Sequence, residues 1–119
     1  EDGWTVLMIA ASNGHTDVVN ALAGTHNANV EAVDKDGWTA LMWAADKGHT
    51  DIVNALAGTH NANLDAVNED GWTALMLAAQ EGHADIVNAL AGTLRHQRSK
   101  VYQRLRAPLS PHLDQKNGR

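Results

Sequence analysis

The 119-residue sequence contains no cysteine and no phenylalanine. Without Cys there are no disulfides, no thiolate zinc sites and no thiol catalysis, and the composition fits a reducing compartment. Without Phe, and with Ala supplying much of the 44% apolar fraction, any core must be assembled from small side chains. Proline occurs only at Pro108 and Pro111, so nothing before them is broken by it. No apolar run approaches the ~18 residues that read as a membrane span. The opening Glu1-Asp2-Gly3 has neither the basic nor the apolar part of a signal peptide. An intracellular protein, cytoplasmic or nuclear, is expected.

Basic charge is scarce until late in the chain. Residues 1–93 carry 13 acidic side chains against Lys35 and Lys47, a net of −11. Residues 94–119 carry seven basic side chains against Asp114, a net of +6, so the overall −5 conceals an acidic body and a basic tail. Such a tail can contact the body, bind an anion or stay solvated.

What the sequence has in abundance is repetition. Asp-Gly-Trp-Thr recurs at Asp2–Thr5, Asp36–Thr39 and Asp70–Thr73, always 34 residues apart. Residues 2–35 match 36–69 at 25 of 34 positions, and 70–93 match 36–59 at 20 of 24. A fixed period of this size marks a solenoid, in which each unit buries its apolar face only against its neighbours. We divide residues 1–93 into units 1–35, 36–69 and 70–93, with a basic segment 94–107 and a polar end 108–119 after them.

Each unit reads as two short helices. Thr39 is suited to cap a first helix running to about Lys47, with Leu41, Ala44 and Ala45 as its apolar stripe. Gly48 supplies the left-handed stop. Thr50 is read as the cap of a second helix with Ile52, Val53 and Leu56 buried, and Gly58 as its end. Thirteen residues without helical period come next, Thr59 to Gly71, and their Asn68–Gly71 turn predicts a hairpin-like finger.

The stretch Asp-Gly-Trp-Thr-Ala-Leu-Met-Trp-Ala-Ala-Asp-Lys-Gly-His-Thr-Asp-Ile-Val at 36–53 resembles the ankyrin repeat pattern, Gly-x-Thr-Pro-Leu-His-x-Ala-Ala-x-x-Gly-His leading into a second helix. The resemblance spans residues 2–93 in three copies. It implies an all-α, ankyrin-type helix-turn-helix solenoid with projecting hairpin-like fingers. It further implies a non-catalytic protein-protein interaction module. Three departures stand out. The family's Pro is Val6, Ala40 and Ala74, and its His is Met8, Met42 and Met76, which removes a side chain that ties neighbouring repeats in the family. One extra residue near Thr25–Asn27 makes the period 34 rather than 33. Because each unit buries little, modest stability is expected, with a melt not far above ~70 °C.

The copies differ most on the first helix. Ile9, Ser12 and Asn13 become Trp43, Asp46 and Lys47, then Leu77, Gln80 and Glu81. These offsets share one helical face, away from the Leu41–Ala44–Ala45 stripe, and a face that varies is read as not the packing face. In proteins resembling this one, that face and the finger tips line the concave surface that grips a partner. Here the tips are Asp2, Trp4, Lys35, Asp36, Trp38, Glu69, Asp70 and Trp72. Trp4, Trp38 and Trp72 are either aromatic anchors with an acidic rim or packing between units; their identity in every copy suits the second reading as well as the first. Trp43 occurs once, on the variable face, and is expected to stand exposed for contact. The partner expected is another protein with a basic or amphipathic surface.

Of seven His residues, His15, His26, His49, His60 and His83 repeat with the period. Equivalent residues at solenoid spacing, ~10 Å, are too far apart to share one ion. A ring-to-backbone bond closing the turn between helices is the simpler reading. No metal, cofactor or enzyme activity is expected, since no nucleophile–base set or phosphate-cradling Gly loop is present.

Past Thr93 the repeat stops. Ser99 can cap a short helix ending before Pro108, with Val101, Tyr102 and Leu105 spaced like Ile52, Val53 and Leu56 and so suited to cap the third repeat. Residues 108–119 have a disordered composition. Two alternatives to partner binding remain open at this level. One is a structural or self-assembling array, engineered or natural, whose basic tail docks on the acidic repeats. The other is anion or nucleic-acid contact through Arg95, Arg98, Lys100, Arg104 and Arg106, which the acidic body disfavours.

Overall fold

A computed structural model describes the backbone of residues 3–106 and the side chains of residues 3–97. Within these limits the chain is six helices and no strand: α1 (Val6–Ser12), α2 (Thr16–Asn20), α3 (Ala40–Lys47), α4 (Thr50–Asn54), α5 (Ala74–Gln80) and α6 (Ala84–Arg106). The first helices pack in series, α1 on α3 and α3 on α5, while each second helix packs on the first helix of its own unit. This is a helical solenoid whose core lies between units as much as within them. Leu41, Ala44, Ala45, Ile52, Val53 and Leu56 are all buried, as the periodicity required.

Each first helix begins at a Thr. The Thr5 and Thr39 hydroxyls accept from the backbone N–H of Met8 (3.1 Å) and Met42 (3.2 Å), occupying a donor that the first turn would otherwise leave unpaired. The methionines complete the exchange. The N–H groups of Thr5 and Thr39 point back at Met8 Sδ and Met42 Sδ, each 3.5 Å away. Thioether sulfur is a weak acceptor, but these side chains are fully buried, and the geometry is a capping box with Met in the return position. The loss of the family's His is therefore partly made good within the helix start.

The first helix ends as expected at Gly48, whose φ of +84° is left-handed. A side chain there would fail twice, because a Cβ would also lie 2.8 Å from the His83 ring. The start of the second helix departs from the sequence expectation. Thr50 is its first residue rather than its cap; His49 holds the cap position and makes no side-chain cap bond.

Gly58 does not end the second helix either. Residues Ala55–Thr59 form a π-helical turn in which the His60 N–H reaches the Ala55 carbonyl at 2.9 Å, and Ala21–Thr25 do the same in the first unit. A turn closed over five residues holds one more residue than an α turn. That is where the thirty-fourth residue goes. The chain then reverses at Asn27 (φ +56°) and Asn61 (φ +58°), and the Ala28 and Ala62 N–H groups lock back onto Leu22 and Leu56 carbonyls at 2.8 Å.

The third unit contains the same Ala-Leu-Ala-Gly-Thr at 89–93 yet keeps it α-helical. Thr93 Oγ1 donates to the Ala89 carbonyl four residues back, at 2.9 Å. The next two residues differ, His60-Asn61 becoming Leu94-Arg95, and the left-handed stop that Asn adopts readily costs Arg more. So α6 runs on to Arg106, and the separate helix capped by Ser99 is not found. Whether Val101, Tyr102 and Leu105 cap the third unit lies outside the described residues, as do Asp2 and the segment 107–119.

Candidate protein-binding face

The finger turns are organised by one buried polar residue each. Asp34 Oδ1 accepts from the N–H groups of Asp36 and Trp38, both at 2.9 Å, and the turn is closed by Gly37 N–H on the Asp34 carbonyl at 3.0 Å. Asn68 repeats this arrangement toward Asp70 (2.9 Å) and Trp72 (3.1 Å). Short polar side chains that bond their own nearby backbone make such turns. Successive fingers are stitched together by Glu69 N–H on the Asp36 carbonyl (3.1 Å) and Asn63 N–H on Glu31 Oε2 (2.8 Å). The fingers are not wholly peripheral, since Ala62 and Leu64 at the base of the second are buried.

Three tryptophans meet on this scaffold. The Trp43 ring lies between Trp4 (centroids 4.5 Å apart, planes at 40°) and Trp38 (4.3 Å, 34°). Its indole N–H donates to Asp34 Oδ2 at 3.1 Å. Trp43 is thus half-buried and tied down, which corrects the expectation that it stands exposed. The physical reason is its position between two fingers, where it packs toward the preceding unit. Of the finger tryptophans, Trp4 packs across units onto Trp43, and Trp38 packs onto the same ring within its own unit. Trp4 is the most open of the three, at 36% exposure. Trp72 is half-buried against the core.

The variable first-helix positions do not form a uniformly free face. Asn13, Lys47, Gln80 and Glu81 are exposed, Ser12 and Asp46 are half-buried, and Ile9 is exposed. Leu77, however, is buried. The position is exposed as Ile9, half-buried as Trp43 and buried as Leu77, so it is no common free face, whereas Asn13, Lys47 and Glu81 four residues on are exposed in every copy. Lys35, Asp36, Glu69 and Asp70 are exposed at the finger tips.

Charge is crowded at the joint between α3 and α5. Burial raises the Asp46 pKa above the ordinary carboxylate value, the Glu81 carboxylate of the next unit adds to the rise, and Lys47 and His83 partly offset it. Asp46 also sits in the last turn of α3, where the helix dipole disfavours an anion.

The histidines act across units. His49 Nε2 lies 2.9 Å from the Ser12 carbonyl, His83 Nε2 lies 3.0 Å from the Asp46 carbonyl, and His60 Nε2 lies 2.9 Å from Asn20 Oδ1. A carbonyl can only accept, so the first two rings carry their proton on Nε2. The ring-to-backbone bond expected from the sequence exists, but it joins adjacent repeats instead of closing a turn within one. Sequence reading misses this because the partner is 37 residues away. Among the described residues, no helix is long and apolar enough to cross a membrane.

No curated protein matches the chain. A family profile of ankyrin repeats matches residues 7–101, in three copies. Ankyrin repeats are generally protein-protein interaction modules and are typically non-enzymatic. Six helices paired in series, a Thr-capped first helix, a Gly-His joint and a finger between units agree with that match, and the chain belongs to the ankyrin repeat family.

Proposed function

We infer that the chain is an intracellular binding module, without chemistry or cofactor, that holds a basic or amphipathic partner protein. The contact surface of this reading is the concave side made by α1, α3 and α5 with the finger tips. The single observation that carries it is the Trp4–Trp43–Trp38 stack, in a row of units whose finger tips and first-helix ends carry exposed Asp36, Glu69, Asp70 and Glu81. Aromatic rings held rigid by their neighbours offer contact area at little entropic cost, and Trp is enriched where binding energy concentrates. The surrounding carboxylates select for positive charge and speed encounter. Trp4 supplies the open ring, and Trp43 and Trp38 support it. Asp46, Lys47, Asn13, Ser12, Gln80 and Ile9 border the surface, Lys35 and Trp72 lie along the finger row, and Leu77 serves from below as packing.

The test is affinity capture with the full chain as bait, then titration of the retained partner against variants. Charge reversal by Asp36→Lys with Glu81→Lys should weaken binding at least ~10-fold, and Trp4→Ala should do the same, with the circular dichroism unchanged. Asn54→Lys, on the exposed side of α4, should have no effect. Equal losses from Asn54→Lys and from the finger variants would remove the concave side as the binding surface.

A further inference from the structure

Asn is followed by Gly at 13–14 and at 117–118, and everywhere else by a residue with a side chain. The pair at 117–118 lies outside the described residues. An Asn amide carbon is within ring-closing reach of the next residue's backbone nitrogen, and Gly leaves that nitrogen unshielded. Asn13 is exposed at the end of α1, at the position that Lys47 and Glu81 hold in the later units. Lys47 has a unit on either side of it and is exposed as well, so neighbouring units leave this position open to water.

The folded backbone holds this pair in a geometry that blocks ring closure. Asn13 has φ −95° and ψ 0°, which sets the Gly14 nitrogen over the backbone nitrogen of Asn13. A cyclic imide needs it over Cβ instead. Turning the peptide to that side would break the His15 N–H bond to the Ala10 carbonyl (3.0 Å) and the longer Gly14 N–H contact with the Ala11 carbonyl (3.4 Å). It would also move Gly14, at φ +80°, out from under the His49 ring, which a Cβ there would meet at 2.9 Å. The same ring donates from Nε2 to the Ser12 carbonyl at 2.9 Å. One side chain of the second repeat thus holds residues 12–14 of the first in their unreactive form.

We propose that Asn13 is a site of spontaneous deamidation whose rate is set by opening of the joint between the first and second repeats. When His49 lifts away, the Asn13–Gly14 peptide is free to turn. The Gly14 nitrogen gives its proton to solvent base and bonds to Asn13 Cγ; the Cγ–Nδ2 bond breaks and ammonia leaves with a proton. Water then opens the imide. Breaking the new N–Cγ bond gives aspartate, and breaking the original peptide bond gives isoaspartate, whose main chain runs through the side-chain carbon. Either route consumes a water and releases an ammonia, with no oxidant or reductant. The two products differ in consequence. Aspartate keeps the backbone, and Glu81 already places a carboxylate at the equivalent helix end. Isoaspartate lengthens the chain between α1 and α2 by one carbon, so Gly14 no longer seats under His49. A reversible opening of the joint is thereby made permanent.

Incubation of the full chain at mildly alkaline pH, in buffer and in urea, tests this. Peptide mapping with fragmentation that separates aspartate from isoaspartate follows Asn13 and keeps Asn117 apart. Conversion of Asn13 should be at least ~10-fold faster in urea than in the folded chain. His49→Ala, checked by circular dichroism for its fold, should raise the folded rate several-fold and leave the rate in urea unchanged. His83→Ala loosens the other joint and should leave the folded rate at Asn13 near that of the parent. The isoaspartyl chain, separated by ion exchange, should have a lower urea midpoint than the Asn13→Asp variant. Equal rates in buffer and urea overturn the proposal. Equal acceleration by His83→Ala and His49→Ala does so too, since it would route the reaction through global unfolding. An Asn13 that stays intact in urea removes the site itself.

Discussion

His83 donates from its ring Nε2 to the backbone carbonyl of Asp46, 3.0 Å away and one repeat earlier, and the same ring lies over Gly48. One side chain thus supplies both the polar tie and the lid of the joint between the second and third units. Replacing His83 with Ala leaves that carbonyl without its partner and uncovers the glycine. A loss of about 1–2 kcal/mol is expected, read as a lower urea midpoint at an unchanged slope. His49→Ala should behave alike at the first joint. His15→Ala, whose ring is exposed, should leave the urea midpoint of the dilute chain where it is.

Asp34 and Trp43 form a matched pair across the first joint that the second joint replaces together, with Asn68 and Leu77. In Asp34→Asn the amide must either turn its NH2 toward the indole N–H or lose its bonds to the finger turn. In Trp43→Leu the carboxylate loses a donor and the ring stack loses its centre. Each single change should cost about 1–3 kcal/mol. The double variant, which copies the second joint, should be more stable than their sum by ~1 kcal/mol in a double-mutant cycle. Strict additivity would mean that the indole–carboxylate contact carries no energy.

Leu94-Arg95-His96 stand where His60-Asn61-Ala62 end the helix of the second unit. Writing His-Asn-Ala into 94–96 should stop α6 at that point, reducing the far-UV helical signal and exposing the amides beyond it to fast hydrogen exchange. The reverse experiment is Asn61→Ala, which places a Cβ-hindered residue at φ +58° and should cost ~1 kcal/mol.

The raised pKa of Asp46 has a signed consequence. Its charged form is disfavoured by folding, so the folded state holds the proton more tightly than the unfolded chain does. Stability linked to this group is highest below its unfolded pKa and is lost as pH rises through the raised folded value. Asp46→Asn should therefore stabilise the chain at neutral pH and have little effect at acid pH, where the native carboxyl is already protonated. Equal effects at both ends of a pH series of urea melts would contradict this origin.

Much of the fold is legible in the residues themselves. The 34-residue period, the Thr39 cap, the Gly48 stop and the buried Ile52–Val53–Leu56 group arise from local chemistry that repeats along the chain. The points that escape sequence reading depend on neighbours. The Ala-Leu-Ala-Gly-Thr segment is identical in all units, yet it closes as a π turn in two of them and stays α-helical in the third, where the residues after it differ. Met8 and Met42 read as lost contacts, because a sulfur 3.5 Å from an N–H cannot be inferred from composition. Variation at Ile9, Trp43 and Leu77 suggests a free face, but side chains also vary where they must fit a differing neighbour. Helical offset alone suffices to place the polar Lys47, Gln80 and Glu81 on solvent, because their exposure does not depend on what the adjoining unit carries.

The contrast between Asn61 and Arg95 bears on how such a chain can change over generations. Where the polypeptide turns back to begin another finger it carries His-Asn, and where it continues straight ahead as helix it carries Leu-Arg. A duplicated 34-residue block that keeps His-Asn would insert a further unit without disturbing the others, while changes at those two codons would close the series. The number of units and the residues that each presents to solvent are thus written at separate places in the repeat.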